Sequence, residues 1–219
     1  MKLSQRRTPL LMGWLKFLEE LGIEYQTDLK DSKLLSGKKY APAIYLPQSN
    51  TYIEVMDGTP GANYTNIHMF IVNKNVQVVT AKNDFRFEAC STVKAGPNKA
   101  LRINILTFPP KGVAMLCKCK SCGGLFFTAS EGTRECRCCG SEDVDGDNIV
   151  VLATGESLTD ITSDAPSDDD VVNNAVRAGR KAYMEELREL YRDISKTMPQ
   201  CDEGENMNPD GYCTPPTEG

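Results

Sequence analysis

Most of the chain's cysteines lie in one short segment: six of the nine fall between Cys117 and Cys139. Two Cys-x-x-Cys-Gly sequences occupy residues 119–123 and 136–140, and thirteen residues lie between Cys122 and Cys136, which is enough for a β-hairpin. A short bend of this kind points two sulfur atoms at one ion, and the closing glycine supplies the permissive backbone. The spacing predicts a zinc ribbon with four thiolate ligands. These ligands are Cys119, Cys122, Cys136 and Cys139.

Four thiolates close a tetrahedral site and leave no open position for water, so the pattern favours a structural zinc ion over a catalytic one. A set of free or redox-active thiols is the alternative. Cys117 and Cys138 are surplus, and their spacing argues against their being ligands. Clustered cysteines are also unlike the spread pairs of disulfide-bonded secreted domains, and we therefore expect a cytoplasmic protein. No stretch has the roughly 18 apolar residues of a membrane span, so no membrane partner is expected.

The charge is unevenly distributed along the chain. Residues 1–140 contain 19 Lys/Arg and 11 Asp/Glu, a formal +8, whereas residues 141–170 contain 10 acidic residues and no basic ones. A basic region of this kind predicts a polyanionic partner, for which we expect nucleic acid and specifically DNA. The ribbon cations could equally offset the thiolate charge. The candidate nucleic-acid contacts are Lys38, Lys39, Lys111, Lys118, Lys120, Arg134 and Arg137.

Two aromatic residues, Phe126 and Phe127, lie between the cysteine hooks. They could stack on nucleic-acid bases. Packing over the metal site is the interpretation that we favour.

The hydrophobic pattern indicates an α/β protein. Thr8 and Pro9 start a helix over residues 9–21, with Thr8 as the N-cap. Residues 64–73 are a second candidate helix, and 171–196 form a third with one apolar face. The candidate strands cover residues 23–27, 40–46, 51–56, 76–80, 85–89, 101–106, 113–116 and 148–153.

The pattern divides the chain into five parts. Residues 1–116 form an α/β domain, 117–154 the zinc ribbon with a closing strand, 155–170 an acidic linker, 171–198 an amphipathic helix and 199–219 a flexible tail. The apolar face of helix 171–196 could dock on a protein partner. It could also pack on its own domain or pair with itself.

Residues 40–47 read Tyr-Ala-Pro-Ala-Ile-Tyr-Leu-Pro, and residues 52–58 read Tyr-Ile-Glu-Val-Met-Asp-Gly. With the helix–strand–hairpin–helix–strand order of residues 9–90, this resembles the PD-(D/E)XK nuclease superfamily, in which Pro-Asp on one strand is followed by Glu-x-Lys on the next. The resemblance implies a restriction-endonuclease-like core with a mixed sheet. Pro42 and Glu54 match the motif, whereas Ala43 replaces its Asp and Met56 its Lys.

In that family the two carboxylates hold Mg²⁺ or Mn²⁺, and the lysine helps to position the attacking water. Neither a methyl group nor a thioether can bind a hard cation, so the resemblance implies a degenerate, non-cleaving member. Relocated groups could restore activity, with Glu54 as the retained carboxylate. The candidates for relocation are Asp57, Glu20, Asp28 and Lys82.

Taken together, these patterns predict a protein that binds nucleic acid without catalysis. The alternatives are a metal-dependent DNA endonuclease with relocated catalytic residues, or an accessory module that binds a protein partner through its C-terminal helix. An accessory protein of a virus or mobile element would fit the last class, and a viral protein would act in the host cytoplasm.

Overall fold

The computed structural model describes residues 8–56, 64–74, 76–82, 87–89, 92–95, 101–104, 112–129, 135–143, 147–154, 171–197, 206–207 and 213–214. The described residues form a mixed α/β structure, as the sequence predicts. Its helices are α1 (Pro9–Glu20), α2 (Tyr64–Lys74) and α3 (Val171–Thr197). Its strands are β1 (Ser32–Lys33), β2 (Lys39–Tyr40), β3 (Ile44–Leu46), β4 (Thr51–Met56), β5 (Gln77–Lys82), β6 (Phe87–Ala89), β7 (Thr92–Ala95), β8 (Leu101–Asn104), β9 (Gly112–Cys119), β10 (Leu125–Ala129), β11 (Ile149–Thr154), β12 (Asn206–Met207) and β13 (Cys213–Thr214).

Helix α1 begins where the sequence places it. The Thr8 Oγ1 accepts a hydrogen bond from the Leu11 N–H at 3.2 Å, which satisfies one of the free donors of the first turn. The helix buries Trp14 and Phe17 completely, with their rings packed edge to face at 5.3 Å. It ends before Gly22, whose φ of +67° suits the glycine that reverses the chain. The predicted helix over 9–21 is confirmed to within one residue.

The main sheet has the strand order β10-β9-β6-β5-β4-β3, and β11 also pairs with β9. Strands β3 and β4 form an antiparallel hairpin, whereas β4 and β5 run parallel and are connected through α2. The remaining strands form separate two-stranded pairs, β1–β2, β7–β8 and β12–β13.

Two hydrophobic clusters lie on opposite faces of this sheet, because alternate residues of β4 and β5 point to opposite sides. Ile53 and Val79 pack with α1 and α3 in the larger cluster. Met56 and Val78 pack with α2 and with Leu34 of the β1–β2 connection in the second cluster. The sheet therefore lies between the α1–α3 pair and α2.

Strand β9 connects the main sheet to the cysteine-rich region. Its first residues, Gly112 and Val113, pair with β6, and its later residues pair with β10 on one side and β11 on the other. The strand runs continuously past residue 116, where the sequence suggests a domain boundary. The ribbon is thus an extension of the main sheet.

Helix α3 packs along α1 through its first turns, where Val172, Ala175 and Val176 join the larger core cluster. The predicted helix over 171–196 is confirmed, and packing on its own domain is the correct alternative for this first part. The second part differs: Met184 and Leu190 are 46% exposed and Tyr191 is 67% exposed.

Two strand predictions need correction. The predicted strand over 40–46 is interrupted, because Tyr40 ends β2 and residues 44–46 form β3 in a different sheet. Residues 23–27 do not form a strand; Gln26 makes only an isolated bridge to Tyr45 on β3. Gln26 and Tyr45 exchange one pair of backbone hydrogen bonds. Asp28 then has a φ of +55°, which is incompatible with an extended strand.

Several predicted segments fall wholly or partly outside the described residues. The acidic linker at 155–170 is one of them, and of the predicted tail only β12 and β13 are described. Over the part of the chain that is described, no helix combines the length and apolar character needed to cross a membrane.

Candidate metal centre and basic surface

The two cysteine hooks sit at the end of the β9–β10–β11 sheet. The first hook continues β9 and turns into β10, so Cys119 is the last residue of a strand that is anchored in the main sheet. The second hook is closed by an antiparallel bridge between Glu135 and Glu142. The sheet thus fixes the first hook, and the bridge closes the second.

Both hooks have the same backbone hydrogen bonds. The Gly123 N–H donates to the Cys119 carbonyl at 2.8 Å, and the Gly140 N–H donates to the Cys136 carbonyl at 2.7 Å. The two glycines have φ values of +71° and +76°, which L side chains rarely adopt. The glycine that follows each Cys-x-x-Cys pair is therefore required by the turn itself.

The four sulfur atoms form a compact group. All ligand atoms of Cys119, Cys122, Cys136 and Cys139 lie within 4.8 Å of one another. The sulfur atoms of Cys119 and Cys139 are 3.9 Å apart, and those of Cys122 and Cys136 are 3.7 Å apart. A tetrahedron with Zn–S bonds of about 2.3 Å has edges of about 3.8 Å. The four cysteines thus fit a metal ion such as zinc.

Each hook contributes one buried and one exposed ligand residue, with Cys119 and Cys136 buried and Cys122 and Cys139 exposed. Burial raises the pKa of Cys136, whereas hydrogen bonds from Ser141 lower the pKa of Cys139 to about 6. Backbone N–H groups also point at sulfur: the Gly124 N–H lies 3.4 Å from the Cys122 sulfur. Such donors stabilise the thiolate form that a metal ligand requires.

Gly124 lies where the two hooks touch. A Cβ atom at this position would stand 2.8 Å from the sulfur of Cys138 and 3.2 Å from that of Cys122. No side chain fits there without displacing a neighbour. The sequence offered a signal for this residue in the doubled Gly123-Gly124, but sequence reasoning assigned a role only to the first glycine.

Asn148 connects the first hook to the end of the second. Its side-chain oxygen accepts a hydrogen bond from the Ser121 hydroxyl at 2.7 Å, and its side-chain nitrogen donates to the Glu142 carbonyl at 3.3 Å. The Asp143 carboxylate in turn accepts the backbone N–H groups of Asn148 and Ile149 at 2.7 and 3.1 Å. The residues that close the ribbon are therefore fixed by side-chain hydrogen bonds that sequence reasoning missed.

The sequence left the roles of the two phenylalanines and of Cys138 undecided, and the structure shows where they lie. Phe126 and Phe127 are both fully buried, so neither is presented for base stacking. Phe126 packs beside Cys117, Cys119 and Cys136, whereas Phe127 points to the larger core. The surplus Cys138 is half-buried, and burial is the largest cause of its raised pKa.

The exposed residues among the predicted cationic contacts form two pairs in the described part of the chain. Lys38 and Lys39 are exposed at the β1–β2 hairpin, and Lys118 and Lys120 are exposed at the first hook. Arg137 is half-buried, and desolvation lowers its pKa. Lys111 and Arg134 lie outside the described residues.

The structure adds two lysines to the hairpin group. The side-chain amide of Asn73, near the end of α2, donates to the Lys33 carbonyl at 3.0 Å and ties the hairpin to this helix. The exposed Lys33 and the exposed Lys74 therefore lie near each other, where the hairpin meets the end of α2. Residues 30–40 contain four lysines and one aspartate, and α2 contains no acidic residue. These lysines, together with Lys30, are called the hairpin lysines: Lys30, Lys33, Lys38, Lys39 and Lys74.

The residues of the nuclease motif lie near one another on the hairpin of β3 and β4. Glu54 is buried on β4, whereas Ala43 lies just before Ile44, which pairs with Ile53, and packs against the larger core cluster. Met56 is buried in the second core cluster and lies opposite Lys82 on β5. Thr80 lies opposite Glu54 in the same way.

The other candidate catalytic residues are not gathered at Glu54. Glu20 is at the end of α1, where it forms an exposed ion pair with Lys16 at 2.7 Å. Asp28 is exposed in the turn after Gln26, and Asp57 lies outside the described residues. Of the proposed replacements, Lys82 alone among the described residues lies on a strand beside β4.

Comparison with known proteins found no matching family model, no matching curated protein and no matching solved structure. The nuclease resemblance therefore has no support beyond its own short motif. The class that the structure defines is a mixed α/β protein with a four-cysteine cluster suited to a metal ion.

Proposed function

We propose that this protein binds nucleic acid, most simply DNA, without cleaving it, and that one structural zinc ion holds its ribbon together. The observation that carries the proposal is the gathering of the hairpin lysines beside the second core cluster. Lysine ammonium groups on a rigid surface attract phosphates and displace their counterions. The zinc ion shapes the ribbon, where Lys118 and Lys120 add two further exposed cations.

The rigidity of the hairpin supports the proposal. Leu34 is buried in the second core cluster, Tyr40 packs against Phe70 of α2 at 5.7 Å, and Asn73 bonds to the Lys33 carbonyl. The backbone that bears the lysines is thus fixed by apolar contacts and a hydrogen bond. Charges on a fixed backbone lose less conformational entropy on binding than charges on a loose segment.

The test measures DNA binding by fluorescence anisotropy at several salt concentrations. The double variant Lys38→Gln/Lys39→Gln removes two charges and should weaken binding at low salt. It should also reduce the slope of log K against log salt by about one to two units. The matched control is Lys16→Gln with Lys181→Gln, because the half-buried Lys16 lies on α1 and the exposed Lys181 on α3, across the sheet from α2. The proposal would be refuted if the affinity did not change with salt concentration, or if the two double variants lost equal amounts of affinity.

A metal-dependent nuclease is the second candidate. The observation that favours it is the register of β4 and β5, which places Lys82 beside Met56 and Thr80 beside the buried Glu54. A lysine on the neighbouring strand could replace the ammonium group that Met56 lacks, and Glu54 could hold Mg²⁺ or Mn²⁺ with help from a second oxygen.

Incubating the purified protein with plasmid and single-stranded DNA, with Mg²⁺ or with Mn²⁺, decides between these functions. Under the non-catalytic proposal no cleavage occurs beyond that of a Glu54→Gln preparation. Cleavage that is lost in both Glu54→Gln and Lys82→Met would establish the nuclease instead.

A protein partner is a separate proposal for α3. This helix exposes Met184, Leu190 and Tyr191, and the last two follow the turn in which Tyr183 packs against the larger core cluster. A pull-down comparing the full chain with a chain ending at Thr154 tests for such a partner. The second variant is Met184→Gln/Leu190→Gln/Tyr191→Gln, which keeps the α1–α3 contact. The proposal is supported only if both the shortened chain and this triple variant fail to bind the partner.

A further inference from the structure

A row of aromatic rings runs from the basic hairpin to the edge of the main sheet. Tyr40 contacts Phe70 at 5.7 Å, Phe70 contacts Tyr52 at 5.1 Å, and Tyr52 contacts Tyr45 at 4.5 Å. The first two contacts are edge to face, and the third is a tilted stack at 33°. The row begins at Lys39-Tyr40, so the hairpin lysines and the rings share one side of the sheet.

The outer end of the row differs from the inner end. Tyr40, Phe70 and Tyr52 pack in or against the second core cluster, whereas Tyr45 lies outside it. Tyr45 is half-buried and stands directly opposite Tyr52 in the hairpin of β3 and β4. Its hydroxyl donates to the Asn50 side chain at 3.2 Å, so the ring is held in one orientation. The row therefore ends in a fixed aromatic ring that the core does not enclose.

We infer that the Tyr45–Tyr52 pair is a stacking platform for the bases of a single nucleic-acid strand, with the hairpin lysines contacting its phosphates. The inference rests on the proposed nucleic-acid-binding function and adds the form of the ligand. In a duplex the bases are stacked on each other and their faces are not available to a protein ring. A single strand offers both a phosphate backbone and free base faces, and proteins bind it with cationic grooves and aromatic side chains.

The neighbouring chemistry fits this assignment better than a role in folding alone. A tyrosine pair that served only the core would be enclosed by apolar groups, but the Tyr45 hydroxyl is bonded to an exposed polar turn. The Tyr52 ring contacts the Phe70 ring edge to face, so Tyr52 is held in place by the second core cluster. A base that stacks on this pair meets a surface that is already ordered, which lowers the entropic cost of binding.

The experiment compares a fluorescein-labelled thymidine oligonucleotide of about 20 nucleotides, which exceeds the usual site sizes, with a duplex of equal length. The wild-type chain should bind the single strand more tightly than the duplex at the same salt concentration. Tyr45→Leu keeps an apolar side chain but removes the ring, and should weaken single-strand binding roughly 5- to 100-fold. Duplex binding should change less than twofold, while Tyr45→Phe should retain single-strand affinity.

Tyr191→Leu is the matched control, because Tyr191 is an exposed tyrosine on α3, which packs on the other face of the sheet. It should leave both affinities unchanged, and circular dichroism should give the same fold for all variants. Equal affinity for both ligands with no effect of Tyr45→Leu overturns the stacking platform but leaves the nucleic-acid proposal standing. No salt-sensitive binding to either ligand overturns both.

Discussion

The two faces of the β9–β10 hairpin are held by different forces. On one face, Leu116 and Phe127 lie opposite each other and join the larger core with α1. On the other face, Cys117 and Phe126 lie opposite each other in a small cluster that contains the ligands Cys119 and Cys136. The same two strands therefore contribute to a large apolar core and to the base of a metal site.

The difference between these faces shows how a ribbon with few apolar residues can keep a fixed structure. Among the described residues, the larger core buries nineteen, whereas the ribbon cluster buries six, three of which are cysteines. Apolar burial stabilises a protein in proportion to area, so the ribbon face has little stabilisation of this kind. We expect the metal to supply what the ribbon lacks, and the body to be largely independent of it.

Removing the metal should have the largest effect, and it should be confined to one face. Structural zinc contributes about 10–16 kcal/mol in small zinc-dependent folds. Cys119→Ala should therefore lose zinc, as measured by elemental analysis, and backbone amides at 135–143 and 147–151 should lose protection from hydrogen exchange. Amides of α1 and β4 should stay protected.

Cys117→Ala is the matched control for this change. Both cysteines are buried on the same face of β9, two residues apart, but only Cys119 belongs to the group of four. Retention of one zinc ion per chain is expected in Cys117→Ala. If both variants lose zinc equally, the ligand assignment is wrong.

Trp14→Ala should have the next largest effect, on the opposite face. It removes a fully buried ring and a hydrogen bond from the Trp14 Nε1–H to the Lys82 carbonyl at 3.1 Å. The loss in free energy of unfolding should be about 3–5 kcal/mol, measured by urea denaturation. Zinc content under native conditions should not change. A folded variant that releases its zinc would show that the two faces are not independent.

Gly124→Ala tests the contact between the hooks. The new Cβ would stand 2.8 Å from the Cys138 sulfur, and we expect a loss of about 1–3 kcal/mol in ribbon stability, measured by chelator competition for zinc. Adding Cys138→Ala should recover part of this loss. Gly123→Ala is the comparison, because its cost comes from a φ of +71° with open space around it. Cys138→Ala should not recover that cost, and equal recovery in the two cases would contradict the steric explanation.

Asn148→Ala should have the smallest effect. It removes the hydrogen bonds to Ser121 and Glu142, each worth about 0.5–1.5 kcal/mol. Zinc release to a chelator should become faster, but by a smaller factor than in Gly124→Ala. Ser121→Ala removes one of the two bonds and should fall between the wild type and Asn148→Ala. A Ser121→Ala effect as large as that of Asn148→Ala would mean that the bond to Glu142 contributes nothing.

Local patterns were sufficient to predict much of the fold. Thr8-Pro9 and the spacing of the apolar residues define α1, and the turn-rich residues 47–50 between two strand-like runs define the β3–β4 hairpin. The prediction over 23–27 failed because alternation alone does not show whether a strand has a partner; only Gln26 reaches the sheet. The cysteine cluster was predictable for a similar local reason, since two short hooks at hairpin spacing need little else to converge.

What the sequence determined by itself is the set of short-range structures: helix α1, the β3–β4 hairpin, and two cysteine hooks with a glycine after each. The tertiary structure decided which distant elements meet. It placed the first part of α3 on α1, divided the faces of β9 and β10 between two cores, and brought Lys74 and the row of aromatic rings to the β1–β2 hairpin. The physical reason is that a cap, a turn or a hook depends on neighbouring residues, whereas these contacts depend on strand register and on which face of each element is buried.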